Sequence, residues 1–259
     1  MITQTITEEQ LNLYQSLFRG RTDVYARYWE KNGQANYSPA YDVNWSAYDK
    51  YKLTGGAFKD FKAKKLIPLT PDIVKKHLIG AHAIGVYPIL QDNTSYFVAA
   101  DFDGSIWHQD CKSFIDECQK VGLYAYLECS RSGNGGHVWI FFEPPYPCYK
   151  SRHAVLEIIR RALKLSEFDE EVSFDRLFPN QDNLAKEGFG NLIAIPLQGQ
   201  ATRQSNTLFL DPETFQPYPD QWAFLKTIHK HTTVKLETAY SNVFNEPVSS
   251  MPEASNPLQ

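Results

Sequence analysis

The sequence predicts an α+β fold, and two observations support this prediction. From residue 95 onward, apolar runs typical of strands and stretches with helical periodicity follow one another in the order strand, helix, strand, strand, helix, strand. The 259 residues are 42% hydrophobic and 22% charged, which is typical of a globular chain and excludes collagen and extensive disorder. We expect one to two domains, since a domain has about 150 residues.

The first part of the chain contains two well-marked helix starts. Thr7 and Gln10 form a capping box, and apolar residues follow them at helical spacing. A second helix starts at Thr70, with Pro71 at its first position. Residues 19–60 lie between these helices and are irregular and rich in Tyr and Trp, so we expect loops with short strands there.

Residues 93–240 carry the alternating pattern and form the second predicted unit. This order of elements is the split βαβ plan of ferredoxin-like and RNA-recognition-motif (RRM) folds, so we expect an RRM-like core behind an N-terminal α/β subdomain over residues 1–92. Residues 241–259 carry Pro, Ser and Asn with few large apolar groups, which predicts a disordered tail or linker. The predicted elements of the core region are strands at 84–90, 95–101, 124–129, 137–142 and 191–197 and helices at 107–121 and 151–165.

Composition also restricts the cellular setting. No uncharged apolar stretch approaches the roughly 20 residues that span a bilayer, and the first residues do not form a charged-then-apolar leader. The net charge is −4, yet residues 59–76 carry six lysines and two aspartates, either as a solvated surface or as a phosphate-binding patch. The cysteines include no CxxC pair, which favours reduced thiols in the cytoplasm over a disulfide framework or a zinc ribbon. They are Cys111, Cys118, Cys129 and Cys148.

Asp101 and Asp103 are the first candidate site residues. Side chains alternate across a strand, so both carboxylates project to the same side. Two close carboxylates repel each other unless a cation lies between them, and Mg²⁺ takes oxygen ligands of this kind. The alternative interpretation is a strand that ends in a turn, where Asp and Gly are common.

A glycine-rich segment at residues 130–139 is the second candidate. Its glycines allow backbone N–H groups to converge on an anion, and Arg131, Ser132 and His137 can supply further donors. The segment lacks the Gly-Lys-Ser/Thr ending of a Walker A loop and precedes a strand rather than a helix. The alternative is a plain hairpin turn, for which Asn-Gly is a strong signal, although a seven-residue loop is longer than a hairpin needs.

Asp175 is the third candidate. It lies between apolar neighbours, where an unpaired carboxylate is unfavourable to bury. A metal ion would resolve this, and so would an ordinary salt bridge to Arg176 or another arginine. The three candidates together predict carboxylates for two metal ions beside a polyphosphate site on one face of a small sheet, which is the equipment of nucleotidyl transfer.

At these residues the sequence resembles the archaeo-eukaryotic primase superfamily, whose motifs are an Asp-x-Asp/Glu strand, a Ser-x-His segment and a third Asp. The corresponding residues here are Asp101 with Asp103, the loop from Ser132 to His137, and Asp175. More narrowly, the chain is similar to the primase-polymerase domain of TOTE conflict systems and to CRISPR-associated primase-polymerases. The matching segments are 17–25, 85–88, 130–142, 175–182, 188–197 and 217–224.

The resemblance implies an archaeo-eukaryotic primase fold with an RRM-like catalytic core and a template-contacting N-terminal subdomain. It implies a template-directed nucleotidyltransferase, a DNA primase-polymerase that extends DNA or RNA 3′-ends or starts strands de novo. The expected partners are a single-stranded DNA or RNA template, a primer strand and dNTPs or NTPs; the helicase and nuclease domains that often accompany relatives are candidate partners. Asp101, Asp103 and Asp175 are expected to bind two Mg²⁺ or Mn²⁺ ions. The expected nucleotide-binding residues are Arg131, Ser132, Gly133, Asn134, Gly135, Gly136, His137, Asn180, Gln181, Lys186 and Asn191.

One departure from the family pattern concerns zinc. Relatives often carry a cysteine cluster before the helix that starts here at Thr70, but residues 41–69 contain no cysteine, so we expect no structural zinc. Two other functional classes remain open. A non-catalytic, single-stranded nucleic-acid-binding RRM-like module would present stacking aromatic residues on its sheet, and a two-metal nuclease would need similar carboxylates without a triphosphate site.

Overall fold

The helices begin where the sequence provides caps, as seen in a computed structural model that describes residues 5–164, 173–186 and 188–245. The Thr7 hydroxyl accepts the N–H of Gln10, and the Gln10 side chain accepts the N–H of Thr7, which confirms the predicted capping box. Thr70 likewise accepts the N–H of Ile73. Within the described residues the helices are α1 (Glu8–Leu17), α2 (Trp45–Leu53), α3 (Pro71–Leu78), α4 (Trp107–Lys120), α5 (Cys148–Ala162), α6 (Gln221–Lys226) and α7 (Thr233–Asn245).

The strands of the described residues form three sheets. The strands are β1 (Ala26–Lys31), β2 (Gln34–Pro39), β3 (Tyr41–Val43), β4 (Lys64–Leu66), β5 (Ile84–Val86), β6 (Thr94–Asp103), β7 (Tyr126–Cys129), β8 (Gly135–Pro147), β9 (Phe174–Phe178), β10 (Ile193–Ala194), β11 (Phe209–Leu210) and β12 (Lys230–His231). The largest sheet has the order β11-β7-β8-β6-β9, with β12 parallel to β8. A four-stranded antiparallel sheet has the order β10-β5-β1-β2, and β3 pairs with β4.

The order β6-α4-β7-β8-α5-β9 confirms the α+β class and the split βαβ core. The last strand differs from the prediction, because the segment expected at 191–197 contributes only β10, which pairs with β5 in the other sheet. The fourth strand of the core is β9, which pairs with β6. Asp175 and Arg176 lie inside β9, so this segment lacks the apolar alternation that marks a strand.

The largest sheet is buried on both faces. On one face, Val98, Ala100 and Phe102 pack against α4, α5 and α7. On the other face, Phe97 and Ala99 belong to a second apolar cluster that includes residues of α1, α3 and the four-stranded sheet. Because successive side chains of a strand alternate, Asp101 and Asp103 continue the face of Phe97 and Ala99.

Two segments differ from the sequence prediction. Helix α2 lies in a region where loops and short strands are expected, and none of its residues is buried, so the sequence carries no apolar stripe there. Helix α7 continues to Asn245, and Val243 is buried against the core. The prediction of a disordered tail from residue 241 is therefore wrong for residues 241–245. Residues 246–259 lie outside the described residues, and disorder there stays a prediction.

All four cysteines are buried and free, as expected for reduced thiols. Burial raises the pKa of the Cys129 and Cys148 thiols to about 11, so both are protonated at neutral pH. Over the described ranges, no helix combines the length and the apolar character needed to cross a membrane. The cytoplasmic location and the division of the chain at residues 92 and 240 stay predictions.

Candidate active site

Three carboxylates, here called the triad, meet at the end of β6. One oxygen each from Asp101, Asp103 and Asp175 can be chosen so that all three atoms lie within 4.8 Å of one another. Asp101 and Asp103 are two residues apart on β6 and therefore share a face of the sheet. The predicted convergence of the third aspartate on this pair is present in the structure.

A β-bulge brings Asp175 to the pair. In the pairing of β6 with β9, Asp101 lies opposite Arg176 and Phe102 lies opposite Phe174, so Asp175 is the extra residue between them. A bulge of this kind changes the direction of a side chain at the edge of a ladder. The start of β9 is fixed from behind by Asp110, whose carboxylate accepts the N–H and the hydroxyl of Ser173.

The sheet also aligns charges of alternating sign in one row. Neighbouring strands pair Glu128 on β7 with His137 on β8, His137 with Asp101 on β6, and Asp101 with Arg176 on β9. Nε2 of His137 lies 3.5 Å from Oδ1 of Asp101, and Nε of Arg176 lies 2.5 Å from Oδ2 of Asp175. Asp101 therefore has a basic residue opposite it on each neighbouring strand, and Asp175 pairs with the arginine that follows it in β9.

The electrostatics of Asp101 favour a bound cation. Burial raises the pKa of Asp101, and the charges of Asp103 and Asp175 raise it further, against the opposing effects of His137 and Arg176. The two neighbouring basic groups thus do not fully compensate the carboxylate. A donor set made only of carboxylate oxygens suits hard divalent cations such as Mg²⁺ and Mn²⁺.

Glu128 is a site residue that the sequence analysis missed. Its side chain is 1% exposed, and Oε2 accepts Nδ1–H of His137 at 2.7 Å and Nε1–H of Trp139 at 3.1 Å. Burial alone would lower the pKa of His137, but the charge and hydrogen bond of Glu128, together with the charges of Asp101 and Asp103, outweigh burial and raise the pKa to about 9. The signal in the sequence is an acidic residue inside an apolar strand that precedes the glycine-rich hairpin.

The glycine-rich loop is shorter than predicted. Ser130 N–H donates to the carbonyl of Gly135, so only residues 131–134 lie outside the hairpin ladder, and Gly135 and Gly136 belong to β8. Both must be glycine for packing, because a Cβ on Gly135 would lie 2.5 Å from the Phe102 carbonyl oxygen and one on Gly136 would lie 2.6 Å from the Trp107 ring. Inside the turn, the Ser132 hydroxyl accepts the N–H of Asn134.

Arg131 reaches from this turn to the four-stranded sheet. Its guanidinium lies 3.6 Å from the centre of the Tyr28 ring, and Tyr28 packs against Tyr37 at 5.3 Å between ring centres. Cation–π contacts of this kind attract an arginine to a ring face. The turn is therefore connected both to the triad, through β8, and to the aromatic face of the neighbouring sheet.

The structure does not bring the remaining candidates to the triad. β9 runs antiparallel to β6 from Asp175 to Phe178, and Asn180, Gln181 and Asn191 follow at the far end. There Asn191 is engaged internally: Oδ1 accepts the N–H of Asn180, Nδ2 donates to the Leu177 carbonyl, and the Asn191 N–H donates to Gln181. Lys186 lines a separate cavity with Arg21 and Gln91. A nucleotide or template contact by these residues stays a prediction.

One family of known proteins matches most of the chain. A search of curated proteins gave no significant match. Among solved structures, the chain is similar to the polymerase domain of Mycobacterium tuberculosis ligase D in complex with DNA, with 12% identity and a TM-score of 0.45 over 93% of this chain and 88% of that chain. Residues 9–239 match the family described as TOTE conflict system, Archaeo-Eukaryotic Primase domain, and the chain belongs to that family.

Proposed function

We propose that the protein is a template-directed nucleotidyltransferase, a DNA primase-polymerase that extends DNA or RNA 3′-ends or starts strands de novo. The observation that carries this proposal is the gathering of Asp101, Asp103 and Asp175 within 4.8 Å beside His137. Membership of an archaeo-eukaryotic primase family supports a nucleotidyltransferase-type role. A single-stranded template and nucleoside triphosphates are the substrates that this activity requires.

The residues of the triad fit the divalent ions that such a reaction uses. Under this proposal Asp101, Asp103 and Asp175 hold two Mg²⁺ or Mn²⁺ ions, and the unfavourable burial of the Asp101 charge supports a cation at this position. When bound, such ions favour ionisation of an attacking hydroxyl and stabilise the charge of a leaving pyrophosphate. No zinc is expected, since residues 41–69 contain no cysteine.

The residues beside the triad supply the proposed triphosphate site. Glu128 accepts Nδ1–H of His137, which leaves Nε2 of His137 on the side of Asp101 as a donor to a phosphate oxygen. The turn at residues 131–134 adds the Ser132 hydroxyl and the Arg131 guanidinium as further donors, while the N–H groups of Gly133 and Asn134 are bonded within the turn. Donors fixed by a sheet stabilise developing negative charge without reorganisation during the reaction.

A single assay tests the proposal and separates it from its two alternatives. The protein is incubated with a labelled single-stranded template, with and without a primer, dNTPs or NTPs, and Mg²⁺ or Mn²⁺. Products longer than the input support polymerisation. Shortened products would contradict the proposal and indicate a two-metal nuclease. A mobility shift of the template without any change in its length would contradict it too and indicate a non-catalytic binding module.

The acidic residues provide matched variants for this assay. Asp101→Asn and Asp175→Asn are expected to abolish product formation, because each removes a carboxylate from the triad. Asp116→Asn is the control, since Asp116 lies on α4 in an ion pair with Lys112, on the helical side of the largest sheet. Equal synthesis by the Asp101→Asn variant and the control would contradict the role of the triad.

A further inference from the structure

Residues 41–66 form a small lobe, here called the aromatic lobe, that consists of β3, α2, a 3-10 turn at Phe58–Asp60 and β4. Its only pairing of strands is the three-residue ladder of β3 with β4, and α2 buries none of its residues. The lobe is therefore held together mainly by contacts between aromatic rings. These rings belong to Tyr41, Trp45, Tyr48, Tyr51, Phe58 and Phe61.

Phe58 lies at the centre of the ring cluster. Its ring centre lies 5.2 Å from that of Tyr48 and 5.9 Å from that of Tyr41, and both pairs meet edge to face. The Lys64 ammonium lies 4.6 Å from the centre of the Phe58 ring and donates to the backbone carbonyls of Phe58 and Lys59. Lys64 is thus used internally, and it fixes the 3-10 turn against β4.

Trp45 presents a wide apolar surface to solvent. It stacks on Phe58 with ring centres 6.3 Å apart and an interplanar angle of 17°, yet its side chain is 61% exposed. One ring face therefore lies on the lobe while the remaining surface is open. A stacked aromatic ring with an open face is the usual platform for a nucleic-acid base, because every base has a face that can stack on it.

The same lobe carries an excess of positive charge in an acidic chain. It contains six lysines and three aspartates, a net charge of +3, while the whole chain has a net charge of −4. Apart from Lys64, its lysines are exposed, and none forms an ion pair with a carboxylate in the part of the chain that the structure describes. They are Lys50, Lys52, Lys59, Lys62 and Lys65. Unpaired lysines around an open ring complement a phosphate backbone.

The lobe is anchored beside the candidate active site. Leu66 of β4 and Tyr37 of β2 pack against the same small apolar cluster, which includes Ala26 of the four-stranded sheet. Tyr37 contacts Tyr28, and the Arg131 guanidinium from the turn next to the triad lies over the Tyr28 ring. The lobe and the turn next to the triad thus both pack on the four-stranded sheet, at neighbouring aromatic residues.

We propose that the aromatic lobe binds single-stranded nucleic acid, with Trp45 stacking on a base and Lys59 and Lys62 contacting neighbouring phosphates. Lys59 follows Phe58, the ring on which Trp45 stacks, and Lys62 follows Phe61 of the same ring cluster. The proposal rests on the proposed function, because the strand that the lobe holds is the template. It replaces the broader basic stretch at 59–76, since Lys75 and Lys76 lie on α3 and Lys76 pairs with Asp72.

The test measures binding of a fluorescein-labelled 20-nucleotide single strand, as DNA and as RNA, by fluorescence anisotropy at several salt concentrations. Trp45→Ala is expected to raise Kd by about 5- to 150-fold, the effect of losing one stacked base, while Trp45→Phe retains most of the affinity. Lys59→Glu combined with Lys62→Glu is expected to weaken the salt dependence of binding. The magnitude of the negative slope of log K against log salt should fall by about 1.4, for two lost phosphate contacts.

Matched controls come from the helical side of the molecule. Tyr149→Ala removes a ring on α5 from a residue that is 45% exposed. Lys120→Glu with Lys235→Glu makes the same change of charge on α4 and α7. Neither control is expected to change Kd or the salt slope by comparable amounts. Thermal unfolding of each variant shows whether the lobe is still folded, and the lysine variants do not alter the ring cluster.

The outcomes separate this inference from the proposed function. If the wild type synthesises strands and Kd is unchanged in both lobe variants, binding by the lobe is contradicted while the polymerase proposal stands. Absence of synthesis in the wild type, together with weaker binding in the lobe variants alone, would overturn the polymerase proposal while the lobe remains a nucleic-acid-binding surface. Equal weakening in the lobe variants and their controls would also overturn the lobe, because binding would then depend on overall charge.

Discussion

Replacing Asp101 by Asn is expected to stabilise the metal-free protein while it abolishes nucleotide addition. Burial and the charges of Asp103 and Asp175 raise the pKa of Asp101, so its ionised form is less favourable in the folded protein than in the unfolded chain. At neutral pH the wild type must nevertheless carry this charge. The amide has the same shape without the charge, so the free energy of unfolding should increase.

The structure sets the size of this effect. One oxygen of each carboxylate lies within 4.8 Å of the others, and two unit charges at that separation repel each other by about 3.5 kcal/mol at an effective dielectric constant of about 20. Asp101 has two such neighbours. The attraction to His137 at 3.5 Å acts in the opposite direction, and solvent screens the exposed Asp103 and Asp175. We expect a net gain of about 1 kcal/mol, typical of relieving an unfavourable functional group. In a chain of this size that gain raises Tm by about 2–4 °C.

Thermal unfolding in EDTA and in Mn²⁺ measures both parts of the prediction. Wild-type protein should gain about 2.7 kcal/mol at a metal concentration 100 times Kd, and the variant should gain much less because one ligand is missing. Asp116→Asn is the control and should behave as the wild type in both conditions. The reasoning fails if Asp101→Asn is less stable than the wild type in EDTA, or if Mn²⁺ stabilises both proteins equally.

Three further predictions concern the groups around the triad and the core. Glu128→Ala leaves the N–H groups of His137 and Trp139 without their acceptor, so the free energy of unfolding should fall by about 2–4 kcal/mol and the nucleotide KM should rise. In Glu128→Gln the nucleotide KM should stay close to that of the wild type. An unchanged KM in both Glu128 variants would contradict the positioning role. Gly135→Ala places a Cβ against the Phe102 carbonyl and the Asp103 carboxylate, so kcat should fall at least tenfold in primer extension, and a wild-type kcat would refute the packing argument. Burial lowers the pKa of His77 to about 4, so the unfolded chain binds a proton between pH 6.5 and pH 4 that the native state does not. Urea unfolding should therefore show that His77 lowers the free energy of unfolding by about 2.5 kcal/mol at pH 4.5 relative to pH 7.5. This contribution should disappear in His77→Gln, and parallel pH curves for the two proteins would contradict the role of His77.

The parts of the fold that depend on neighbouring residues were predictable from the sequence. Thr7 and Thr70 cap helices because a hydroxyl and the N–H three residues later are brought together by the helix itself. The split βαβ order follows from periodicity, which reports the buried face of each element. The shared direction of Asp101 and Asp103 follows from alternation along a strand in the same way.

The parts that depend on distant residues were not predictable. The bulge that directs Asp175 toward the triad exists only in the pairing of β9 with β6, and nothing within residues 174–178 marks it. Glu128 has an evident role only once its strand lies beside His137. The assignment of β10 to the other sheet also depends on a partner, β5, that lies far away in the sequence.

The same alternation that builds the core also explains why the site is rigid. β6 and β8 pair in unbroken register from Phe97 opposite Phe141 to Asp103 opposite Gly135, and apolar residues fill both faces over most of this length. At the end of the strands the face that buried Phe97 presents carboxylates instead. Side chains on paired strands hold their positions better than side chains on loops. The packing of the whole sheet therefore maintains the unfavourable burial of the Asp101 carboxylate. Movement of a loop should not relieve this unfavourable burial, whereas substitution of a triad residue should.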